Sequence, residues 1–477
     1  MTRTIAQLSF LMAGSAAFGL SITLAADDIN SAIGMVLVIM AGAVACGALF
    51  LIPLEWMLHL QIAAVLITAY IPVSVSIVGL NFRGSQMLLP FVLFRLLTSS
   101  RATRSNVPMG GFAVPAVVFW IALLAWTLVS LGDYDMPIAL PLGRVFLHAL
   151  NIAQAAAIGA MIVVTRHWRQ AVMTLMIGVC ILNGVLFVCV TGQSLGITAL
   201  ERFTVAEDAP QLSDGSVGRG AVDRFVVGVL TGCLSACVLV LALAALVLGE
   251  QGKRSTYLLL AAGAMVGMVI GFSRQAVLDV AVGLGIVGWL GFRKINWKRA
   301  LGAAIAVPTV VVALLAASST IPVIQPYWRS FAGRTLLLAD LNAYSEGTVN
   351  DRLKMWSEMF HDIVSNPLIG RGQDAYLQYY PTRGEGSHNF PLEILHSAGV
   401  LGFAAYLWMH ASVVRAGFQA ARRSREELRA GVFAAVAIVI LSSCSNLIFW
   451  NPAYWLILAL GATAAYTGDG SPIEEPA

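Results

Sequence analysis

Charged side chains are scarce in this sequence: Asp, Glu, Lys and Arg make up 11% of its 477 residues, whereas hydrophobic residues make up 58%. Because water-soluble globular domains carry about 25% charged residues, this composition excludes a water-soluble globular protein. Apolar runs of about 20 residues, the length that crosses a hydrocarbon core, recur along nearly the whole chain. The sequence therefore predicts an all-α membrane protein, a polytopic bundle of about 12 to 14 transmembrane helices.

Cysteines are also few, and none lies in a polar joint. All six fall inside apolar runs: Cys46, Cys180, Cys189, Cys233, Cys237 and Cys444. Disulfides are therefore not expected. Cys233 and Cys237 are one helical turn apart, but no other ligand type is nearby, so they are interpreted as packing residues rather than a metal site.

The apolar runs give the order of the predicted helices. They are 5–25, 31–53, 60–80, 87–98, 112–131, 139–163, 171–190, 225–248, 256–272, 275–292, 300–321, 389–414, 431–449 and 452–467. No cleavage-like pattern follows the first run, so it is interpreted as a retained helix and not as a signal peptide.

Positive charge in alternate joints predicts which side each loop occupies. The basic joints are Arg101 and Arg104, Arg166 and Arg169, Lys253 and Arg254, 293–299, and 415–429. Since Lys and Arg mark cytoplasmic loops, both termini are expected in the cytoplasm. The predicted units are a transmembrane bundle (1–321), a large, partly helical extracytoplasmic (periplasmic) loop (322–388), C-terminal transmembrane helices (389–467) and a disordered tail (468–477).

A second set of basic residues falls in the outer half of this map, where the positive-inside rule does not explain it. It comprises Arg83, Arg144, Arg202, Arg219, Arg224, Arg274, Arg329, Arg334, Arg352, Lys354, Arg371 and Arg383. The planar guanidinium binds phosphate with paired donors, so this set suits an anionic ligand such as a lipid pyrophosphate.

Three positions in this set are singled out, each with an alternative. Arg274 lies at a tight joint at the membrane edge, where it contacts a ligand, snorkels, or pairs with Asp279. Arg219 lies between Gly218 and Gly220, which let a ligand approach, and Arg224 follows five residues later, although a solvated loop fits as well. Arg83, beside Gly84, is a weaker candidate.

The long outer loop contains an amphipathic helix and ends in a histidine. Leu353, Trp356, Phe360, Ile363 and Val364 recur at helical spacing between Asn350-Asp351 and Pro367, with polar residues opposite, which predicts a folded lid lying on the bundle. A new helix is predicted to begin near Asn389 and Pro391, with Asn389 as its cap.

His388 would then lie just outside the positive end of that helix, which favours a neutral imidazole able to accept a hydroxyl proton. The alternative is an ordinary hydrogen-bonding histidine. A metal site made by His388, Glu393 and His396 is also conceivable, but their spacing follows no known ligand pattern.

Two blocks of the C-terminal half, with a weaker third, form a combined pattern. The first runs from Asp351-Arg352-Leu353-Lys354-Met355-Trp356 into Asn366-Pro367-Leu368-Ile369-Gly370-Arg371-Gly372, the second is His388-Asn389, Leu392-Glu393 and Gly399-x-x-Gly402, and the third is Ser273-Arg274. Together they resemble the O-antigen ligase and polymerase family, bacterial membrane glycosyltransferases that act on undecaprenyl-pyrophosphate-linked glycans. The N-terminal half is similar only in hydropathy.

The resemblance implies a GT-C-like helical fold and an inverting transfer that needs no metal or other cofactor. It implies His388 as the catalytic residue, and phosphate contacts from Arg274 and from one arginine of the preceding outer loop. That loop departs from the family, since Arg219-Gly220 is followed by Ala221-Val222-Asp223-Arg224, so Arg219 and Arg224 both stay candidates. The predicted substrate-binding residues are Arg274, Arg219, Arg224, Arg352, Arg83 and Asn389.

The partners expected from this reading are an undecaprenyl-pyrophosphate-linked glycan as donor, a glycan or lipid-linked acceptor, and the bilayer, with no nucleic acid. Ligation to a lipid A core and polymerisation of repeat units both stay open. A transporter or flippase of a lipid-linked or polar solute is the alternative, but few polar residues lie deep in helices apart from Arg144, His148, Asn151 and Asp279. A structural scaffold would leave the outer arginines unexplained, and binding without transfer is a further alternative.

Overall fold

The computed structural model describes most of the apolar chain and part of the long loop. The described residues are 49, 52–70, 74–77, 80–99, 110–133, 139–194, 229–248, 254–271, 274–291, 302, 348–365, 367–373, 375, 389–423, 427–444 and 451–466. They form thirteen α-helices, a short 3₁₀ turn at Ser130–Asp133 and one two-stranded hairpin.

The elements follow one another along the chain in this order: α1 (Leu54–Tyr70), β1 (Ser74–Ile77), β2 (Leu80–Arg83), α2 (Gly84–Met87), α3 (Leu89–Thr98), α4 (Gly110–Val129), α5 (Ala139–Thr165), α6 (Trp168–Ser194), α7 (Val229–Leu248), α8 (Arg254–Ile270), α9 (Arg274–Gly291), α10 (Thr348–Ser365), α11 (Phe390–Arg423), α12 (Glu427–Ser443) and α13 (Pro452–Thr463).

Five of these helices, α4 to α7 and α11, are long and apolar enough to cross a membrane. Helices α1, α8, α9, α12 and α13 and the stretch 84–98 are shorter but equally apolar. The predicted fold class, a polytopic all-α membrane bundle, is therefore confirmed. The predicted helices 5–25, 31–53 and 300–321 lie almost wholly outside the described residues, so the total of 12 to 14 stays a prediction.

The prediction of one helix over 60–80 is wrong, because α1 ends at Tyr70 and a hairpin follows. Strands β1 and β2 are antiparallel, with Ser74 opposite Arg83 and Ile77 opposite Leu80. Two sequence features account for the change: Pro72 cannot donate a helical hydrogen bond, and alternating Ser, Val and Ile residues favour extended backbone. Hydropathy alone does not distinguish such a segment from a helix.

Asn183 of α6 joins four helices in the middle of the bundle. Its Oδ1 accepts a hydrogen bond from Tyr70 Oη of α1 at 2.7 Å. Its Nδ2 donates to Ser235 Oγ of α7 at 3.1 Å and to the Gly263 carbonyl of α8 at 3.0 Å. Between apolar helices the hydrophobic effect gives no direction, so such polar contacts fix which faces meet.

Helix α11 positions the candidate site. It packs along α4, and the 24 of its 34 residues that follow Gly399 make about 36 Å of helix, enough to cross a bilayer core. It extends past the predicted end at 414 and finishes with Arg422 and Arg423. Its first turns are free to form a site outside the membrane-crossing stretch.

Candidate functional site

The start of α11 has the cap that the sequence predicts. Asn389 Oδ1 accepts a hydrogen bond from the Leu392 backbone N–H at 3.2 Å, and the Asn389 carbonyl accepts one from Glu393 at 3.0 Å. Pro391 lies in the first turn, where its missing N–H leaves no bond unmade. His388 itself is outside the described residues, but the chain places it directly before this cap.

Nine residues further on, α11 is interrupted at Gly399. This residue has φ 63° and ψ −173°, a conformation that L side chains rarely adopt. The interruption leaves main-chain groups on both sides of Gly399 without partners in the helix. The segment 367–372 provides hydrogen-bond partners for these groups. Arg371 N–H donates to the His396 carbonyl at 2.8 Å, Gly372 N–H to the Ser397 carbonyl at 2.9 Å, and Val400 N–H to the Pro367 carbonyl at 3.2 Å.

This main-chain docking explains the glycines of the Pro-Leu-x-Gly-x-Gly block. A Cβ at Gly370 would lie 2.2 Å from the Ser397 carbonyl oxygen, and one at Gly399 would lie 2.7 Å from the Leu368 carbonyl oxygen. Gly372 also has a positive φ, of 83°. The block is therefore a docking segment that lays loop backbone directly against helix backbone.

An ion cluster reinforces the docking segment from the side of α10. Asp362 of α10 accepts from Arg371 Nη2 at 2.6 Å and from Arg371 Nε at 3.1 Å, a paired contact. It also accepts from the buried His396 Nε2 of α11 at 2.9 Å, which requires that this nitrogen carries the proton. Asp362 thus connects α10, the docking segment and α11.

Two further contacts hold the lid on the bundle. The Gln373 N–H donates to Thr127 Oγ1 of α4 at 3.0 Å, and both residues are buried. Met355 and Met359 of α10 form a small apolar cluster with Trp356 and Leu392. Helix α10 is therefore fixed to the first turn of α11 by packing and to its second turn by charge.

The lid helix itself is confirmed, but the face predicted to pack on the bundle is only partly correct: Trp356 and Ile363 of the predicted stripe do pack on protein. Helix α10 spans Thr348–Ser365, close to the expected bounds. Its buried apolar residues are Met355, Met359 and Ile363, whereas Leu353, Phe360 and Val364 are exposed. The sequence offers two apolar stripes, and periodicity does not say which one meets protein.

Arg83 lies in a different part of the bundle, where the hairpin enters between α1 and α5. Gln61 of α1 and Gln154 of α5 both donate to the Ser85 carbonyl at 3.0 Å, and Gln86 Nε2 donates to Asn151 Oδ1 at 3.0 Å. These contacts hold α2 inside the protein. Arg83 is therefore part of a built structure and not a residue of a solvated loop.

The charge of Arg83 is costly in this place. Its Nη1 is buried without a hydrogen-bond partner in the described part of the chain, and burial lowers the pKa of Arg83 from its ordinary value. His148 of α5 is also buried. In the sequence, Arg144 counts among the outer basic residues, and Arg144 and His148 stand out as polar residues deep in a helix.

The other predicted residues are located only in part. Arg274 is the first residue of α9 and Arg352 lies in the first half of α10, whereas Arg219 and Arg224 lie outside the described residues. Asp279, the alternative partner suggested for Arg274, accepts hydrogen bonds from Ser442 Oγ at 2.7 and 2.8 Å and from Gln275 Nε2 at 2.9 Å. Among the described residues no group of three His, Cys, Asp or Glu side chains is placed to hold a metal.

Sequence reasoning did not find the cluster of Asp362, Arg371 and His396. Asp362 was assigned to the wet face of α10, Arg371 to the general set of outer arginines, and His396 to a conceivable metal site. Opposite charges 9 and 34 residues apart give no signal without knowledge of the fold, because nothing local fixes their distance.

Replacing Asp362 with Asn should loosen the docking segment. The carboxylate loses its charge while two donors stay in place, which should cost about 1–3 kcal/mol of docking free energy, the range for charge-assisted hydrogen bonds. Hydrogen exchange at the Arg371 and Gly372 amides should accelerate in Asp362→Asn. Glu358→Gln, one turn earlier on α10, is the matched control and should leave that exchange unchanged.

The pH dependence follows from the same contacts. Hydrogen bonds from His396 and Arg371 hold the pKa of Asp362 well below its ordinary value. A lowered carboxyl pKa stabilises the docked state above the ordinary pKa of about 3.9, and the contribution falls as pH drops below it. The rates of amide exchange at Arg371 and Gly372 should therefore differ between wild type and Asp362→Asn at pH 7, and this difference should disappear in acid. A difference that persists unchanged at low pH would show that charge is not its cause.

Comparison with known families identifies one stretch of the chain. Residues 257–407 match the family model described as O-antigen ligase. The matched stretch runs from α8 into α11 and contains Arg274, Arg352, the docking segment and the capped start of α11, whereas Arg83, Arg219 and Arg224 precede it. A search of the curated proteins gave no match. Residues 257–407, about a third of the chain, are therefore similar to the O-antigen ligase family.

Proposed function

We propose that this membrane glycosyltransferase moves a glycan from an undecaprenyl-pyrophosphate donor to an acceptor hydroxyl on the extracytoplasmic face, with His388 as general base. The similarity of residues 257–407 to the O-antigen ligase family supports a glycosyltransferase activity and a lipid-linked glycan as substrate. The observation that carries the finer proposal is the start of α11. It is capped by Asn389, docked against 367–372 and joined to α10 by Asp362, so the residue just before it would be held firmly.

The chemistry requires one proton acceptor and one anion site. His388 would take the proton of the acceptor hydroxyl as its oxygen bonds to the anomeric carbon, and the bond from that carbon to the pyrophosphate oxygen would break. Attack opposite the leaving group inverts the anomeric configuration. The departing pyrophosphate is already an anion, so guanidinium groups would stabilise its growing charge without a metal.

Arginines of the outer half would hold the pyrophosphate. Arg274 begins α9, where the free N–H groups and dipole of a helix start also attract phosphate. The buried, unpartnered Nη1 of Arg83 supports a second ligand contact from the α2 region. Arg352, one of Arg219 and Arg224, and Asn389 complete the proposed set.

Replacing Arg274 with Lys should weaken donor binding even though the charge is kept. A lysine ammonium cannot make the paired planar contact of a guanidinium with a phosphate. A loss of about tenfold in donor affinity corresponds to roughly 1.4 kcal/mol, within the range for one charge-assisted hydrogen bond. The measurement is donor titration with the purified variant, and wild-type affinity in Arg274→Lys would favour a structural role instead.

The proposed side of the membrane can be tested separately from activity. Loop 322–388 is proposed outside and the basic joint 415–429 inside, with both termini cytoplasmic in the bacterial inner membrane. Single cysteines replacing Ser345 and Ser424 in a cysteine-free background should react differently with an impermeant reagent on spheroplasts. Position 345 should be labelled at once and position 424 only after permeabilisation, whereas the reverse pattern would invert the topology.

The decisive test of the function is turnover by the purified protein in nanodiscs. Undecaprenyl-pyrophosphate glycan supplied with an acceptor should give free undecaprenyl pyrophosphate and a glycosylated acceptor. Products that lengthen from donor alone would establish a polymerase, and product formed only with a separate acceptor would establish a ligase. In proteoliposomes, movement of intact donor between leaflets without cleavage would instead support the flippase alternative.

A further inference from the structure

Helix α10 carries two apolar stripes, and within the described part of the chain only one of them packs on protein. Met355, Met359 and Ile363 are buried, as described above. The uncovered stripe is formed by Leu353, Phe360 and Val364, spaced seven and four residues apart and therefore aligned about a third of a turn from the buried side chains. These three residues expose between 52% and 61% of their surface. A helix with a second apolar stripe needs a second apolar environment.

The uncovered stripe continues into the docking segment. Leu368 and Ile369, just beyond the end of α10, expose 67% and 51% of their surface. Their position is fixed by main-chain contacts, since Val400 N–H donates to the Pro367 carbonyl and the Leu368 carbonyl lies against Gly399. The apolar surface of the lid thus ends directly beside the main chain of α11.

The neighbouring surface of α11 identifies what covers the stripe. Beyond Gly399, the exposed side chains of this membrane-length helix include Leu401, Leu407 and Trp408, at the spacing of one helix face. Such large apolar side chains on the outside of a transmembrane helix face lipid. The Leu368 carbonyl lies against Gly399, directly before this part of α11, so the exposed residues Leu368 and Ile369 lie beside the start of its lipid-facing stretch.

The polar side of α10 is consistent with an interfacial position. Lys354 and His361 are exposed next to Leu353 and Phe360 in sequence, and so point about 100° away from them around the helix. A helix with one apolar and one charged side lies in the membrane surface, with its apolar side about 5–10 Å into the headgroup and acyl boundary.

We propose that the uncovered stripe of α10, with Leu368 and Ile369, is a lipid-binding surface that seats the lid in the bilayer interface beside α11. The lid is then held by protein on one side and by lipid on the other. The assignment to the outer leaflet rests on the proposed function and topology. The contact between the stripe and lipid is inferred independently of them. The lid would therefore lie at the depth where the headgroups of membrane lipids lie.

Adjacent residues on α10 offer matched probes for a test in nanodiscs. Single cysteines replace Leu353 or Phe360, and their neighbours Lys354 or His361, in a background lacking the six native cysteines, and each carries an environment-sensitive fluorophore. At 353 and 360 we expect blue-shifted emission, quenching by lipid-attached nitroxide and loss of quenching by iodide. At 354 and 361 we expect the reverse. Val364→Cys provides a second lipid-side position if one variant fails to fold.

Two outcomes would overturn the proposal. Iodide quenching at 353 and 360 equal to that at 354 and 361 would place the stripe in water. Protection from both quenchers would mean that protein covers it, either a second copy of this chain or another segment. Because fluorescence is read without turnover, an inactive protein with the expected quenching pattern would contradict the proposed function alone.

Discussion

Replacing His388 with Ala should lower glycan transfer by roughly 10²- to 10⁴-fold, the range for loss of a general acid or base. The acceptor hydroxyl would then lose its proton only to water, while the arginines would still hold the donor. The expected signature is therefore a large fall in kcat with donor affinity nearly unchanged. The measurement is release of undecaprenyl pyrophosphate by purified variant and wild type at equal folded concentration.

A second histidine of the lid provides the matched control. His361 is exposed on α10, about one turn before the end of that helix, and is not among the proposed site residues. His361→Ala should transfer at the wild-type rate. Full activity of His388→Ala would rule out the proposed base, and an equal loss in both variants would indicate a general effect of changing the lid.

Much of the fold follows from hydropathy because the bilayer imposes simple rules on helix length and charge. Helices α4, α5, α6 and α11 begin within three residues of their predicted starts. The cap at Asn389 was also predictable, since capping depends on a side chain and the N–H groups of the next turn. Features that depend only on neighbouring residues, such as helix starts and caps, can therefore be predicted from the sequence.

The failures have a common physical cause. The segment after Tyr70 is apolar enough for a helix, so its neighbours decide whether it forms a helix or a hairpin. Both stripes of α10 are apolar, so the neighbouring elements decide which of them is buried. The cluster of Asp362, Arg371 and His396 depends on a helix interruption at Gly399 that brings 367–372 alongside α11. The family pattern marked these glycines correctly, but only the main-chain distances explain why they are glycines.

Replacing Gly370 with Ala should undock the segment 367–372 from α11. The added Cβ would lie 2.2 Å from the Ser397 carbonyl oxygen and 2.7 Å from the Gly399 nitrogen, both of them main-chain atoms that no side-chain rotation can move. Relief requires separating the two backbones, which breaks the bonds from Arg371 and Gly372. Overpacking of this kind costs typically about 1–3 kcal/mol, and the lost hydrogen bonds add about 1 kcal/mol each.

A glycine of α9 provides the control for this substitution. A Cβ at Gly285 would meet nothing within 4 Å, so Gly285→Ala should be neutral or should stabilise its helix by up to about 1 kcal/mol. The measurements are thermal unfolding in nanodiscs and hydrogen exchange of the Arg371 and Gly372 amides. Unchanged amide protection in Gly370→Ala would show that the two backbones are not packed as closely as described.

The same variant tests whether docking matters for catalysis. If the docking segment fixes the first turns of α11, and with them the residue before Asn389, then Gly370→Ala should lose transfer activity beyond its loss of folded protein. Donor affinity should change less than kcat, because the proposed pyrophosphate contacts at Arg83 and Arg274 lie on other elements. Faster amide exchange with an undiminished kcat would instead mean that His388 is positioned by contacts other than those between 367–372 and α11.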